Sequence, residues 1–125
     1  VRGAGGCILF LSSIHQWGVR LNPSYGASKG AIGMIVKELA VDLAPHGIRV
    51  NGIAPGWIAL DEAGHPHAHP YTLLGGASIS PDYVARAAVF LASDHYSGFT
   101  TGATLTVDGG LSLYNHSIAQ WECLA

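Results

Sequence analysis

Charged side chains are scarce in this sequence. Only 11% of its 125 residues are Asp, Glu, Lys or Arg, whereas 49% are hydrophobic, and the formal net charge is -2. A chain with so little charge is expected to bury much of its surface or to need a partner that covers it. Because there is no basic excess, the composition predicts a protein that binds neither nucleic acid nor an anionic membrane.

Cysteine and long apolar segments are also scarce. Cys7 and Cys123 stand near opposite ends of the chain, without the spacing of metal ligands. No apolar run reaches the length of a membrane-spanning helix, and the first residues carry no signal-peptide pattern. These absences predict a reduced, cytoplasmic protein. The chain also lacks an initiator methionine, so we expect its start to lie inside a longer reading frame.

Two apolar runs flank a helical pattern in the first half of the chain. Residues 7–11 and 48–54 predict strands, the first of them buried on both faces as in a parallel sheet. Between them, apolar residues recur at helical spacing from Tyr25 to about Ala44, where Pro45 and Gly47 end the pattern. Strand, helix and strand in this order predict a right-handed βαβ unit with parallel strands.

The second half predicts a long loop, another helix and a third strand. Residues 61–80 are interrupted by glycines and prolines, a pattern typical of a binding loop or lid. Ser80 begins a helix that runs to about Ser93, and residues 95–102 predict a turn-rich connector. Residues 103–107 predict the third strand, and residues 111–125 predict a loosely structured tail.

Three histidines alternate within the long loop, at His65, His67 and His69. Alternating imidazoles can bind a metal ion, but no cysteine or carboxylate stands at a suitable spacing to complete a ligand set. The pattern therefore favours a polar loop without a metal.

Tyr25 and Lys29 stand four residues apart at the start of the first predicted helix. This spacing places both side chains on one helix face, where the ammonium favours the phenolate and makes the phenol usable for proton transfer. The same spacing also occurs by chance on solvated helix faces, so the interpretation depends on the surrounding motifs.

Two serines, Ser12 and Ser13, directly follow the first predicted strand. Ligands of open α/β sheets bind beyond the carboxyl ends of strands, so either serine is a candidate to hydrogen-bond a substrate oxygen. The alternative is an ordinary capping or turn role. In the irregular loop that follows, His15 and Trp17 are candidate pocket residues, or ordinary loop residues.

The ordered set of motifs resembles the carboxyl-terminal half of a short-chain dehydrogenase/reductase. The matching segments are GGCILFLSS, YGASKG, HGIRVN, PG and TGATLTVDGG, and SSIH and DGGLSLY are further similar to glucose 1-dehydrogenases. The resemblance implies an α/β chain that forms part of a Rossmann fold, with parallel strands and crossover helices but without the amino-terminal dinucleotide-binding half. It implies that residues 1–110 form this half-domain and residues 111–125 a tail.

The resemblance also implies a role for each site residue. Tyr25 would be the general acid/base, Lys29 would assist it and bind the nicotinamide ribose, and Ser13, favoured over Ser12, would orient the substrate oxygen. Pro55–Gly56 and Ile58 would bracket the nicotinamide. The implied reaction is hydride transfer between NAD or NADP and a small alcohol or ketone, such as a sugar.

Several departures from the family pattern limit what this chain is expected to do alone. The glycine-rich loop and the early strands are missing, so the choice between NAD and NADP is not encoded here and strand 7–11 would be an exposed apolar edge. Leu60 stands where the family often has a threonine. The resemblance implies a homodimer or homotetramer formed through helix 25–44. The alternative to an enzyme is a truncated, non-catalytic subunit that serves oligomerisation or interaction.

Overall fold

A computed structural model describes residues 5–19 and 21–114 of the chain. Five segments form the α/β framework in this order: strand β1 (Gly6–Leu11), helix α1 (Pro23–Leu43), strand β2 (Ile48–Pro55), helix α2 (Pro81–Ala92) and, after a short helix α3 (Asp94–Ser97), strand β3 (Thr104–Val107). Short 3-10 helices follow β1, α1 and β3, at Ile14–Gln16, Ala44–His46 and Leu111–Leu113. Each predicted strand and main helix is therefore present, within a few residues of its predicted bounds.

The three described strands form one parallel sheet in the order β1-β2-β3. β2 pairs with β1 from Gly6 opposite Ile48, and with β3 from Gly52 opposite Thr104. Every β2 residue after the first is buried, because both of its edges are paired and helices cover the sheet. This arrangement confirms the predicted βαβ unit and the partial Rossmann fold.

The burial of β1 contradicts one of the two predictions made for this strand. Each of its residues is exposed or only partly buried, and Leu11 is 56% exposed, so the strand is not buried on both faces. The reason is its position, since it has a neighbour on one side only among the described strands. The second prediction, an exposed apolar edge, is confirmed.

Helix α1 begins where the sequence supplies a cap. Asn22 accepts a hydrogen bond from the backbone N–H of Tyr25 at 3.3 Å, and Pro23 occupies the first turn. Val36 and Ala40 are its fully buried residues. The chain leaves the helix through the Ala44–His46 turn and Gly47, whose φ of +72° favours glycine.

Three segments predicted as irregular carry short helices. The loop after β1 forms a 3-10 turn capped by the Ser13 hydroxyl, and the predicted connector over residues 95–102 begins inside helix α3. Leu111 is buried at 8% exposure in the 3-10 turn that follows β3, so the start of the predicted tail packs on the body. The remainder of that tail, residues 115–125, lies outside the described residues.

A buried arginine joins β2 to the end of α2. The Arg49 guanidinium donates to the carbonyls of Leu91 and Ala92, to the Ser97 hydroxyl and to the Asp94 carboxylate. This contact set closes α2 and α3 onto the strand near the amino end of β2, which begins at Ile48. Within residues 5–19 and 21–114, no helix combines the length and apolar character needed to cross a membrane.

Candidate active site

The carboxyl ends of β1 and β2 open into one cleft of about 1120 Å³. Its walls come from the two strand ends, the first turn of α1, the loop after β2 and the turn after β3. The lining residues are Leu11, Ser12, Ser13, Ile14, His15, Asn22, Tyr25, Lys29, Pro55, Gly56, Trp57, Ile58, His69, Tyr71, Leu111 and Tyr114. All six residues predicted for catalysis or cofactor binding are among them.

Tyr25 and Lys29 lie together at the base of α1. The Lys29 Nζ is 5.4 Å from the centroid of the Tyr25 ring and donates a hydrogen bond of 3.2 Å to the Leu11 carbonyl at the end of β1. Tyr25 is 39% exposed to the cleft. The ammonium is therefore held between the strand end and the phenol, as the four-residue spacing predicted.

Ser12 and Ser13 have different environments, although both are buried. Ser12 donates from its hydroxyl to the Lys29 carbonyl at 3.0 Å and from its backbone to Ile53 at 2.8 Å, so it ties β1 to α1 and β2. The Ser13 hydroxyl caps the 3-10 turn, accepting from the His15 backbone at 3.2 Å. The Ser12 hydroxyl is therefore bonded to the backbone of α1, whereas the Ser13 hydroxyl lies beside His15.

His15 connects the serine to the tyrosine. Its Nδ1 lies 3.1 Å from the Ser13 hydroxyl, and its ring packs edge-on against Tyr25 with 5.0 Å between centroids. The sequence marked His15 only as a candidate lining residue, because the 3-10 turn that brings it back over the site has no clear sequence pattern. Trp17, the other candidate, lines a separate pocket beside the cleft.

The segment Pro55–Ile58 forms the floor of the cleft after β2. Gly56 donates to the Val107 carbonyl at 2.9 Å, and a Cβ at this position would lie 2.8 Å from Asp108 and Ile79 side-chain atoms. Glycine is therefore required for β2 and the turn after β3 to approach this closely. Leu60, the departure from the family pattern, is outside the cleft lining.

The turn after β3 is held by Asp108. Its carboxylate accepts hydrogen bonds from the backbone N–H groups of Gly110 at 2.9 Å and Ser112 at 2.7 Å. Burial by itself raises the pKa of Asp108, but hydrogen bonds from Ser112 and Gly110 outweigh burial and hold the pKa below its ordinary value. The ionised carboxylate thereby positions Leu111 at the rim of the cleft.

The three alternating histidines are separated by their environments. The backbone N–H of His65 donates to Asp61 and holds the pKa of Asp61 below its ordinary value, whereas the His67 backbone donates to Ser78 and His69 lines the cleft. No group of three metal-binding side chains is found in the part of the chain that the structure describes. Residues 61–80 form the predicted long loop, folded back by isolated pairings such as Ala68 with Ala77.

Comparison with known proteins identifies the family. A family model described as enoyl-(acyl carrier protein) reductase matches residues 1–112. The chain is 43% identical to 3beta-hydroxysteroid dehydrogenase 1 of Eggerthella lenta, over 87% of this chain and 44% of that protein, and 41% identical to glucose 1-dehydrogenase 2 of Bacillus subtilis, over 87% and 45%. The chain belongs to the short-chain dehydrogenase/reductase family.

Solved structures of two oxidoreductases have the same fold as this chain. A putative oxidoreductase from Escherichia coli K-12 matches with a TM-score of 0.81 and 35% identity, over 90% of this chain and 45% of that one. A putative D-mannonate oxidoreductase from Haemophilus influenza with bound NAD matches with a TM-score of 0.74 and 30% identity, over 87% and 44%. The chain thus spans less than half the length of the proteins it matches.

The cleft of this short-chain dehydrogenase/reductase chain fits one end of a nicotinamide dinucleotide. The hydroxyl of Tyr25 and the ammonium of Lys29 supply hydrogen-bond donors, and Pro55–Ile58 supply a largely apolar floor for a flat ring. A pyrophosphate group requires a glycine-rich turn between a strand and a helix. Among the described residues, the β1–α1 connection carries Ser13 and His15 and no such turn.

Proposed function

We propose that the protein carrying this chain is an NAD(P)-dependent oxidoreductase that interconverts a carbonyl and an alcohol. The observation that carries the proposal is the convergence of Tyr25, Lys29 and Ser13 on one cleft floored by Pro55–Ile58. Hydroxyl, ammonium and serine at the carboxyl ends of parallel strands are the groups that carbonyl reduction requires.

The residues divide the chemistry between them. In reduction, the Tyr25 hydroxyl gives its proton to the substrate oxygen while the Ser13 hydroxyl hydrogen-bonds the same oxygen; in oxidation the proton returns to Tyr25. Lys29 stabilises the negative charge that the phenol oxygen then carries. The nicotinamide cofactor, NAD or NADP, supplies or accepts the hydride when bound. Pro55, Gly56 and Ile58 hold the nicotinamide against the site.

The names of two relatives support an alcohol or ketone as substrate, since one is a 3beta-hydroxysteroid dehydrogenase and the other a glucose 1-dehydrogenase. We assign this protein a sugar or another small alcohol or ketone. We assign a cytoplasmic location on the scarcity of cysteine, since the sequence contains only Cys7 and Cys123.

Self-association through α1 belongs to the same proposal. The helix leaves Met34 56% and Val41 76% exposed, an apolar surface that a second copy would cover. Light scattering on the protein produced from its native reading frame tests this, and a monomer at micromolar concentration contradicts it.

Replacing Tyr25 with phenylalanine tests the reaction. In the protein produced from its native reading frame, we expect Tyr25→Phe to lower kcat by about a thousandfold, because the proton donor is lost while the ring remains. The affinity for NAD(P)H should change less than about twofold. Tyr83→Phe, an exposed tyrosine on α2, is the matched control and should keep full activity. Turnover retained by Tyr25→Phe would refute the acid/base role.

A further inference from the structure

Two histidine rings lie against one tryptophan ring in the loop between β2 and α2. Between ring centroids, Trp57 is 4.6 Å from His69 and 6.3 Å from His67, with interplanar angles of 48° and 42°. The two histidines flank Ala68, which pairs with Ala77 in the returning part of the loop, so they share one face of an extended segment. We call Trp57, His67 and His69 the histidine–tryptophan cluster. The proposed reaction assigns no role to its two histidines.

The cluster joins the beginning of the loop to its middle, on a backbone that is itself paired. Trp57 accepts a hydrogen bond at its carbonyl from the Ile79 backbone at 2.8 Å, and Ser78 donates from its backbone to the His67 carbonyl at 2.7 Å. Trp57 is nevertheless 41% exposed, and His67 is exposed as well. The ring contacts are therefore open to proton exchange with solvent, while the backbone pairing keeps the rings close together.

The hydrogen-bond partner of His69 suits either protonation state of its ring. The His69 Nδ1 lies 3.1 Å from the hydroxyl of Thr72, a residue that is only 4% exposed. A hydroxyl can donate to the nitrogen of a neutral imidazole and can accept from a protonated one. Proton uptake by His69 therefore keeps this hydrogen bond and changes the contact with Trp57.

The loop itself carries two carboxylates and a third histidine. The Asp61 carboxylate accepts from the His65 backbone at 2.8 Å, and this hydrogen bond, with a smaller contribution from the charge of His67, holds the pKa of Asp61 below its ordinary value. Glu62 is exposed beside it. Because carboxylates are ionised above about pH 5, only the histidines of the loop change charge between about pH 5 and 8.

Other titratable groups face His69 from across the cleft. Tyr71 contacts it directly, with 5.8 Å between ring centroids. The remaining titratable side chains that line the cleft with His69 are His15, Tyr25, Lys29 and Tyr114. Variants of the cluster leave all of these groups in place, so their titration can be separated from that of the cluster.

We propose that the histidine–tryptophan cluster is a pH-dependent contact, which stabilises the loop beside the cleft when its histidines are protonated. A protonated imidazole is a cation, and an indole ring attracts a cation within about 6 Å of its centroid more strongly than it attracts a neutral ring. His69 lies within this distance and His67 at its limit, so most of the effect belongs to His69. The loop is therefore held more firmly at about pH 6 than at about pH 8.

The consequence for the cleft is regulation by pH, and this consequence rests on the proposed function. Trp57 lies between Gly56 and Ile58, which are assigned to the nicotinamide floor. A loop that is already ordered when the cofactor arrives lowers the entropy cost of binding. NADH should therefore bind more tightly at about pH 6 than at about pH 8.

Fluorine NMR of the protein from its native reading frame, labelled with 5-fluorotryptophan, tests the contact itself. The Trp57 resonance is assigned by its loss in Trp57→Phe and followed from about pH 8.5 to about pH 5.5. We expect a transition in its chemical shift that His69→Gln reduces by at least about half and that the double variant His67→Phe, His69→Gln removes. His65→Gln is the matched control and should keep the transition, because the His65 ring lies beside Asp61 instead.

Hydrogen exchange over residues 57–80, corrected for the pH dependence of the exchange chemistry, measures how firmly the loop is held. We expect protection at about pH 6 to exceed protection at about pH 8 by about threefold, and the double variant to show no difference. The absence of a Trp57 transition, its persistence in the double variant, or protection that does not rise at the lower pH would each overturn the inference.

Calorimetric titration with NADH separates failure of this inference from failure of the proposed function. The dissociation constant of the unmodified protein should rise at least about twofold between about pH 6 and about pH 8, and the double variant should lose this rise. The same rise in the double variant would assign the pH dependence to another group of the cleft and overturn the regulatory role. A protein that binds no NADH at either pH would instead overturn the proposed function, and the NMR and exchange results would still decide the contact.

Discussion

At the scale of single residues, the site depends on a short chain of contacts through His15. The imidazole Nδ1 meets the Ser13 hydroxyl at 3.1 Å, and the ring edge meets Tyr25 at 5.0 Å. One side chain therefore orients both groups proposed to contact the substrate oxygen. Two variants separate the contact with Ser13 from the contact with Tyr25. His15→Asn keeps a hydrogen-bonding group near the Nδ1 position, whereas His15→Phe keeps only the ring.

We expect His15→Ala to lower kcat by about tenfold with little change in KM, because Ser13 loses the partner that orients its hydroxyl. His15→Asn should recover to within about threefold of the unmodified protein, and His15→Phe should stay as slow as His15→Ala. Steady-state kinetics with one ketone measure all three, with His46→Ala, an exposed histidine, as the control. A fast His15→Phe and a slow His15→Asn would show that the tyrosine contact matters instead.

At the scale of elements, Arg49 determines how α2 and α3 meet the sheet. Its side chain is only 10% exposed, whereas that of its ion-pair partner Asp94 is 83% exposed. Solvent screens the carboxylate, so the ion pair itself is expected to contribute little. The hydrogen bonds to Leu91, Ala92 and Ser97 lie deeper, and without the guanidinium these acceptors lose a buried donor.

Urea unfolding should give three variants with different losses in the free energy of unfolding. Arg49→Met is expected to lower the free energy of unfolding by about 2–4 kcal/mol, since it strips donors from a buried site. Asp94→Asn should lower the free energy of unfolding by less than about 1 kcal/mol, because the Asp94 carboxylate is exposed. Arg86→Met, an exposed arginine on α2, is the control and should change the free energy by less than about 0.5 kcal/mol. A loss for Asp94→Asn as large as for Arg49→Met would assign the stabilisation to the ion pair.

At the scale of the whole molecule, the proposed function requires more than the described cleft supplies. The chain spans less than half of each protein it matches, and its β1 edge exposes Ile8 and Leu11. In the proposed function, the cleft supplies acid/base groups and a nicotinamide floor, but the described β1–α1 connection carries no glycine-rich turn for phosphates. The alternative proposal, that the chain by itself is a non-catalytic subunit, is separated from the first by measuring cofactor binding to the isolated chain.

The isolated chain of 125 residues should not bind NAD(P)H at micromolar concentration. Most of the affinity for a dinucleotide comes from its phosphates and adenosine half, which this cleft does not contact. Fluorescence titration of NADH and NADPH measures this, and the product of the native reading frame, expected to bind, is the positive control. Micromolar binding by the chain alone would contradict the prediction and favour an active short form.

The sequence by itself determined the framework and the placement of Tyr25 beside Lys29. Apolar runs and helical spacing, stopped by Pro45 and Gly47, suffice to predict β1, α1 and β2, because these signals are local along the chain. Tyr25 and Lys29 follow from the same logic, since four residues of helix bring two side chains onto one face. The parallel pairing also follows, because a helix between two strands leaves few other ways to connect them.

Tertiary structure decided everything that depends on residues distant in sequence. The apolar sequence of β1 predicts a strand buried on both faces, yet the exposure of its side chains depends on which strands lie beside it. His15 reaches the site only because a 3-10 turn packs on α1, and a series of ring contacts joins Trp57 to Tyr114 through a loop whose sequence has no regular period. The periodicity of apolar residues predicts local structure along the chain, whereas a pocket is formed by residues that are distant in sequence and close in space.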